Sequence, residues 1–138
     1  MAFCRRRLHP PRSGANVSAS RGETRRYCQA LDLVDDPQLI AEYQQYHQHI
    51  WPEVAQHLRQ QGILNMEIYR LGTRLFMIME TSAAFDSAIF SRRSQENPKV
   101  CEWEALMWKY QRATPWTPKG EKWVAMESLF SLQEQTRS

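Results

Sequence analysis

Cysteine and glycine are scarce. Among 138 residues there are three cysteines, Cys4, Cys28 and Cys101, and five glycines. The cysteines are odd in number, widely spaced and without a CxxC pair. That weighs against a disulfide framework or a structural zinc site and suits a reducing, cytoplasmic setting. No Gly-rich phosphate loop, nucleophile elbow or catalytic triad pattern is present. No apolar run reaches the roughly 18–20 residues of a membrane span, so no membrane partner is expected. A basic excess is also missing from most of the chain. Five arginines (Arg5, Arg6, Arg7, Arg12 and Arg21) against one acid, Glu23, give residues 1–24 a charge of +4, which leaves −1 of the total +3 for the remainder. That balance argues against nucleic acid as a partner.

What is present suffices for one domain. Hydrophobic residues make up 42%, enough for a single core at this length. Residues 1–24 are rich in Arg, Ser, Gly and Pro and read as a disordered basic N-terminal extension, with a composition that also resembles a transit peptide. Residues 25–132 read as the domain and 133–138 as a polar tail. The alternation in RRYCQALDLV predicts a strand over 25–34. Asp36 then caps a helix that begins with Pro37. Leu39, Tyr43, Tyr46 or His47, Ile50, Val54 and Leu58 mark its apolar stripe, and Gly62 ends it. Residues 63–82 predict a hairpin around Leu71-Gly72-Thr73. A helix starting at Ser82 or the alanines after it carries Phe85, Ala88 and Ile89. Asn97-Pro98 opens a further helix over 100–112, and a loop (114–121) leads to a last strand over 122–132.

The order β-α-β-β-α-β is the ferredoxin-like arrangement. It implies an α+β fold with a four-stranded antiparallel sheet and its helices on one face. The second face would carry either Leu75, Met77 and Met79 or Phe76 and Ile78. An apolar face of that size predicts a homodimer.

The stretch EYQQYHQHIWPEV (42–54) holds the most unusual punctuation. Tyr43 and His47 stand one helical turn apart on the apolar stripe. Pro52 lacks the amide that would bond the carbonyl of Gln48, so the helix must kink or restart just after His47. Such a break opens space for a small ligand beside an imidazole; the alternative is a core histidine bonded to a tyrosine or a carbonyl. His47 and His49 diverge by about 200° on a helix, so no metal site is expected. Glu67 and Tyr69 share a strand face with Asn65. They read either as hydrogen-bonding groups for a polar ligand or as edge residues paired with basic neighbours. Trp103, Trp108, Trp116 and Trp123 suit core packing or sugar stacking.

EYQQYHQHIWPEV, NMEIYRLGTRLFMIME and WEALMWKYQ together resemble the L-rhamnose mutarotase family across residues 25–132. The resemblance implies a dimeric ferredoxin-like α+β barrel that interconverts the α and β anomers of a 6-deoxy-hexose without metal or cofactor. It implies His47 as the proton donor, Tyr43 and Trp108 as sugar-binding residues, and Met107 and Met66 at sugar-binding positions where the family has Trp and Tyr. These departures alter the pocket rather than the acid–base residues, and the spelling is closer to the L-fucose branch. Dimeric barrels of this topology also include haem-degrading and quinone-type monooxygenases, and a non-catalytic ligand-binding module is a third possibility.

Overall fold

The computed structural model describes residues 23–136; the expected N-terminal extension lies almost wholly outside them. The chain runs β1 (Thr24–Leu33), α1 (Pro37–Gln48), α2 (Pro52–Gln60), β2 (Ile63–Leu71), β3 (Arg74–Ser82), α3 (Ser87–Gln95), α4 (Pro98–Met107), β4 (Gln111–Arg112) and β5 (Val124–Ala125). The sheet order is β2-β3-β1-β4, with β5 also paired to β1, and every pairing is antiparallel. Two short strands thus share the β1 edge that the ferredoxin-like arrangement gives to its fourth strand.

Local chemistry explains most boundaries. The Asp36 carboxylate accepts from the amides of Gln38 and Leu39 at 2.8 and 3.2 Å, and Pro37 takes the first helical position. Trp51 is held near φ −59°, ψ 134°, the extended conformation a residue before proline adopts. α2 therefore restarts at Pro52 rather than continuing α1. Gly62 ends α2 with φ +95°, and Gly72 opens the two-residue hairpin turn with φ +58°. A positive φ at the first loop position matches the right-handed twist of the flanking strands.

Three expectations are corrected. Asp86, not Ser82 or the alanines, caps α3, accepting from the amides of Ala88 and Ile89 at 2.9 and 3.0 Å; Phe85 precedes the helix and is buried in the core. α4 stops at Met107 rather than continuing to Arg112. The Tyr110 amide turns back to the Met107 carbonyl, and Gln111 and Arg112 join the free edge of β1 at Leu33 and Asp32. The last strand is also short. Only Val124 and Ala125 pair with β1, because residues beyond Met126 find no partner strand within one chain. Leu129, Phe130 and Leu132 stay exposed there. Cys28 is a free thiol.

Strand periodicity sets the two faces of the sheet. Tyr27, Leu31 and Leu33 of β1 and Leu75, Met77 and Met79 of β3 are buried in a core with Val54, Phe90, Val100 and Trp103 from the helices. Phe76 and Ile78 occupy the opposite face and stay partly exposed. His57 and Ser94, both buried, join α2 to α3 at 2.8 Å. A Cβ at Gly62 would sit 3.1 Å from Ser82 Oγ as well as in a strained backbone conformation. Gly62→Ala is expected to lower the unfolding free energy by about 1–2 kcal/mol. Urea titration should show an earlier midpoint with an unchanged slope.

Candidate active site

α1 ends with its imidazole at the rim of a cleft. The cleft has a volume of about 370 Å³ and lies between the α1–α2 corner, the start of β2 and α4. Val54, Leu58, Ile63, Met66, Ile68 and Trp103 supply apolar wall, while His47, Gln48, Arg59 and Asn65 supply polar groups. The volume lies at the small end of the roughly 300–1,000 Å³ of ligand pockets, and the mix of apolar wall with few polar groups is typical of them.

His47 is tightly held. Its ring packs on Tyr43 at a 36° tilt with centroids 4.2 Å apart and lies edge-on to Trp103 at 5.5 Å. Nδ1 lies 2.8 Å from the Tyr43 carbonyl. A carbonyl oxygen only accepts, so Nδ1 carries the proton and donates it, which leaves the Nε2 lone pair of the neutral ring available. Burial pushes the imidazole pKa below its usual value, opposed in part by the bond to the Tyr43 carbonyl. His47 is thus neutral at pH 7, with one basic nitrogen. Trp103 is fully buried and also packs edge-on against Trp51 and Tyr46. It is the aromatic hub behind the imidazole.

A second cluster adjoins the first through Tyr43 and Trp103. The Gln111 amide donates to the buried Tyr43 hydroxyl at 3.3 Å. Burial drives the phenol pKa strongly up, the Gln111 bond opposes this, and the Glu104 charge adds to it. Tyr43 is therefore a neutral hydroxyl. Glu104 and Lys122 are each 1% exposed and form an ion pair at 2.7 Å. The Lys122 ammonium also lies 4.3 Å from the centroid of the Trp108 ring.

The structure sorts the expected site residues into three groups. His47 and Met66 share the cleft, with Tyr43 packed under the imidazole. Trp108 belongs to the Glu104–Lys122 cluster, and Met107 is buried in the core beside it. Glu67 and Tyr69 pair across β3 with Ile78 and Phe76, on the sheet face away from the helices. There the Tyr69 hydroxyl donates to Glu67 Oε1 at 2.7 Å. Within one chain the sheet separates this pair from His47. Trp103, read as suited to core packing or sugar stacking, is both buried and a wall of the cleft, whereas sequence reasoning missed Arg59 and the Glu104–Lys122 pair. Arg59 stands one helical turn after Ala55, which also lines the cleft, and that spacing could have found it. No local pattern links Glu104 to Lys122.

A family model described as L-rhamnose mutarotase matches residues 26–132. The chain belongs to that family. The L-rhamnose mutarotase family is one of carbohydrate isomerases. An L-fucose mutarotase of Xanthomonas campestris is 43% identical over 111 residues, covering 79% of this chain and 89% of that protein. A UPF0734 protein of Dictyostelium discoideum is 44% identical over 110 residues, covering 77% and 88%. An L-rhamnose mutarotase of Formosa agariphila has a similar fold, with a TM-score of 0.58 at 19% identity over 78% of this chain and 97% of that one. Among the described residues no cluster of His, Cys, Asp or Glu could hold a metal ion, and no helix is long and apolar enough to cross a membrane.

Burial also lowers the pKa of His57. For both histidines the folded value lies below the unfolded value of roughly 6.5. In that window the unfolded chain binds more protons, so stability falls as pH drops below about 6.5 and is recovered above it. Long-range ¹H–¹⁵N spectra should show His47 as the Nδ1–H tautomer at pH 7, charging only below about 6.5. An Nε2–H tautomer at pH 7 would contradict the assignment.

Proposed function

We propose that this chain is an aldose mutarotase that interconverts the α and β anomers of a 6-deoxy-hexose, L-fucose in preference to L-rhamnose. The observation that carries the proposal is the His47 imidazole, fixed through Nδ1 and presenting a basic Nε2 at a monosaccharide-sized cleft. Membership of the L-rhamnose mutarotase family supports the reaction, and the 43% identity to an L-fucose mutarotase supports the sugar. Met66, at a position where the family has a sugar-binding tyrosine, removes a hydroxyl from the pocket and suits a substrate that presents a methyl group there.

The chemistry requires little more. Ring opening transfers one proton from the anomeric hydroxyl to the ring oxygen as the bond between C1 and that oxygen breaks. Both oxygens are bonded to C1, so one imidazole reaches both. Nε2 takes the hydroxyl proton, becomes imidazolium and returns the proton to the ring oxygen. Rotation about C1–C2 presents the other aldehyde face, and the reverse sequence closes the ring. Tyr43 holds the imidazole from below, and Trp103 supplies the aromatic wall of the cleft. A 370 Å³ cleft suits a monosaccharide better than a haem or a quinone. A free monosaccharide substrate also fits the cytoplasmic location that belongs to this proposal. His47→Ala is expected to fold normally and to lose roughly 10²–10⁴-fold of the acceleration. NMR exchange spectroscopy of L-fucose and L-rhamnose anomers measures this directly, and wild-type rates in that variant would remove His47 from the mechanism.

The partner is proposed to be a second copy of the chain. Phe76 and Ile78 stay partly exposed on the open sheet face, and Met126, Leu129, Phe130 and Leu132 are exposed beyond β5. Apolar surface of that kind marks an interface. Sedimentation should give a dimer for the wild-type chain and a monomer for Phe76→Glu/Ile78→Glu. A wild-type monomer at micromolar concentration would refute the pairing.

A further inference from the structure

We propose that Arg59 is a sugar-binding residue that sets specificity, its guanidinium donating to the ring hydroxyls that distinguish one 6-deoxy-hexose from another. This rests on the mutarotase reading above.

The cleft carries few groups able to hold a sugar. His47 is committed to the two oxygens on C1, which leaves the hydroxyls on C2, C3 and C4 to other partners. Of the described residues that line the cleft, only Gln48, Arg59 and Asn65 have further polar side chains. The Asn65 amide already donates to Glu67 Oε2 at 3.4 Å. Arg59 brings five N–H donors in a planar fork and no acceptor. Among the described residues no carboxylate forms an ion pair with it.

Its placement argues against a merely solvated cation. Arg59 stands in the last turn of α2, where a basic residue complements the helix dipole whichever way it points. Val54, Ala55, Leu58 and Arg59, however, recur at the spacing of one helical face, and all four line the cleft. The exposed neighbours Gln56 and Gln60 do not. The guanidinium therefore belongs to the wall that meets the ligand. Gln48 adds the complementary function. It lines the same cleft, and the amide that its carbonyl would meet in a continuous helix is missing at Pro52. A sugar hydroxyl both donates and accepts, so a donor fork and a backbone acceptor suit it together.

L-Fucose and L-rhamnose differ in configuration at C2 and C4. Two neighbouring hydroxyl oxygens on one side of the ring match the guanidinium fork, and moving one of them to the other side breaks the match. Hydroxyls away from C1 change little as the ring opens, so these bonds hold substrate and transition state alike.

The test measures anomer exchange of L-fucose and L-rhamnose by the full chain over a range of concentrations. Arg59→Met keeps an unbranched stem and removes every donor. Its KM for L-fucose should rise roughly 10- to 100-fold, the range of hydrogen bonds from a charged group, with kcat within about twofold of wild type. The preference for L-fucose over L-rhamnose should narrow. Arg59→Lys keeps the charge and loses the fork, and its KM should fall between those of Arg59→Met and wild type. An unchanged KM in Arg59→Met would overturn the inference while leaving the mutarotase reading intact. Absence of exchange in the wild-type chain with both sugars would overturn that reading, and this inference with it. A second measurement follows the Arg59 Nε–H resonance, assigned by its loss in Arg59→Met, during titration of the wild-type chain with L-fucose. It should shift as the sugar binds, and a resonance unmoved at saturating sugar would equally overturn the proposal.

Discussion

The site depends on one missing hydrogen. Pro52 has no amide, so the helix begun at Pro37 cannot continue past Gln48. Trp51, locked in an extended conformation before the proline, swings the chain into α2, and the two helices meet at a corner. His47 occupies the last turn before that corner. A continuous helix would carry Val54 and Leu58 onward along the axis of α1. The interruption instead leaves the imidazole at an opening walled by Val54 and Leu58 of the new helix and by Met66 and Ile68 of β2.

The corner alone would leave the imidazole free to rotate. Three contacts stop it: the Tyr43 carbonyl on Nδ1, the Tyr43 ring below and the edge of Trp103 behind. Trp103 is held in turn by Trp51 and Tyr46, so the tryptophan of the corner supports the histidine before it through a residue fifty positions away. The hydrogen bond fixes the tautomer and burial fixes the charge state. The result is a neutral imidazole with Nδ1 engaged and one basic nitrogen at neutral pH.

Much of this was legible in the chain. Asp36-Pro37, Asn97-Pro98, Gly62 and Leu71-Gly72-Thr73 punctuate the sequence where helices begin, end and turn, because each acts through its own backbone or a neighbour two or three residues away. The Tyr43–His47 pairing and the break at Pro52 are local in the same sense. The α4 boundary was misread because Trp108-Lys109-Tyr110 continues a helical pattern, while the open edge of β1 recruits Gln111 and Arg112 into the sheet. The last strand was overread for the reverse reason. The apolar residues over 126–132 have strand character, but within one chain no strand lies beside them.

By itself the sequence determined the order of elements, the ferredoxin-like class, the family and the imidazole at the helix break. These follow from short-range backbone chemistry and from motif spelling, which do not depend on how the chain closes. Only the tertiary structure decided which alternating face of β2 and β3 is covered. That choice puts Met66 into the cleft and sends Glu67 and Tyr69 to the far side of the sheet. It also decided that Trp103 backs the histidine and that Glu104 and Lys122 meet in the interior. A strand pattern is symmetric between its two faces, and a buried ion pair joins residues with no local relation, so both are settled only by packing.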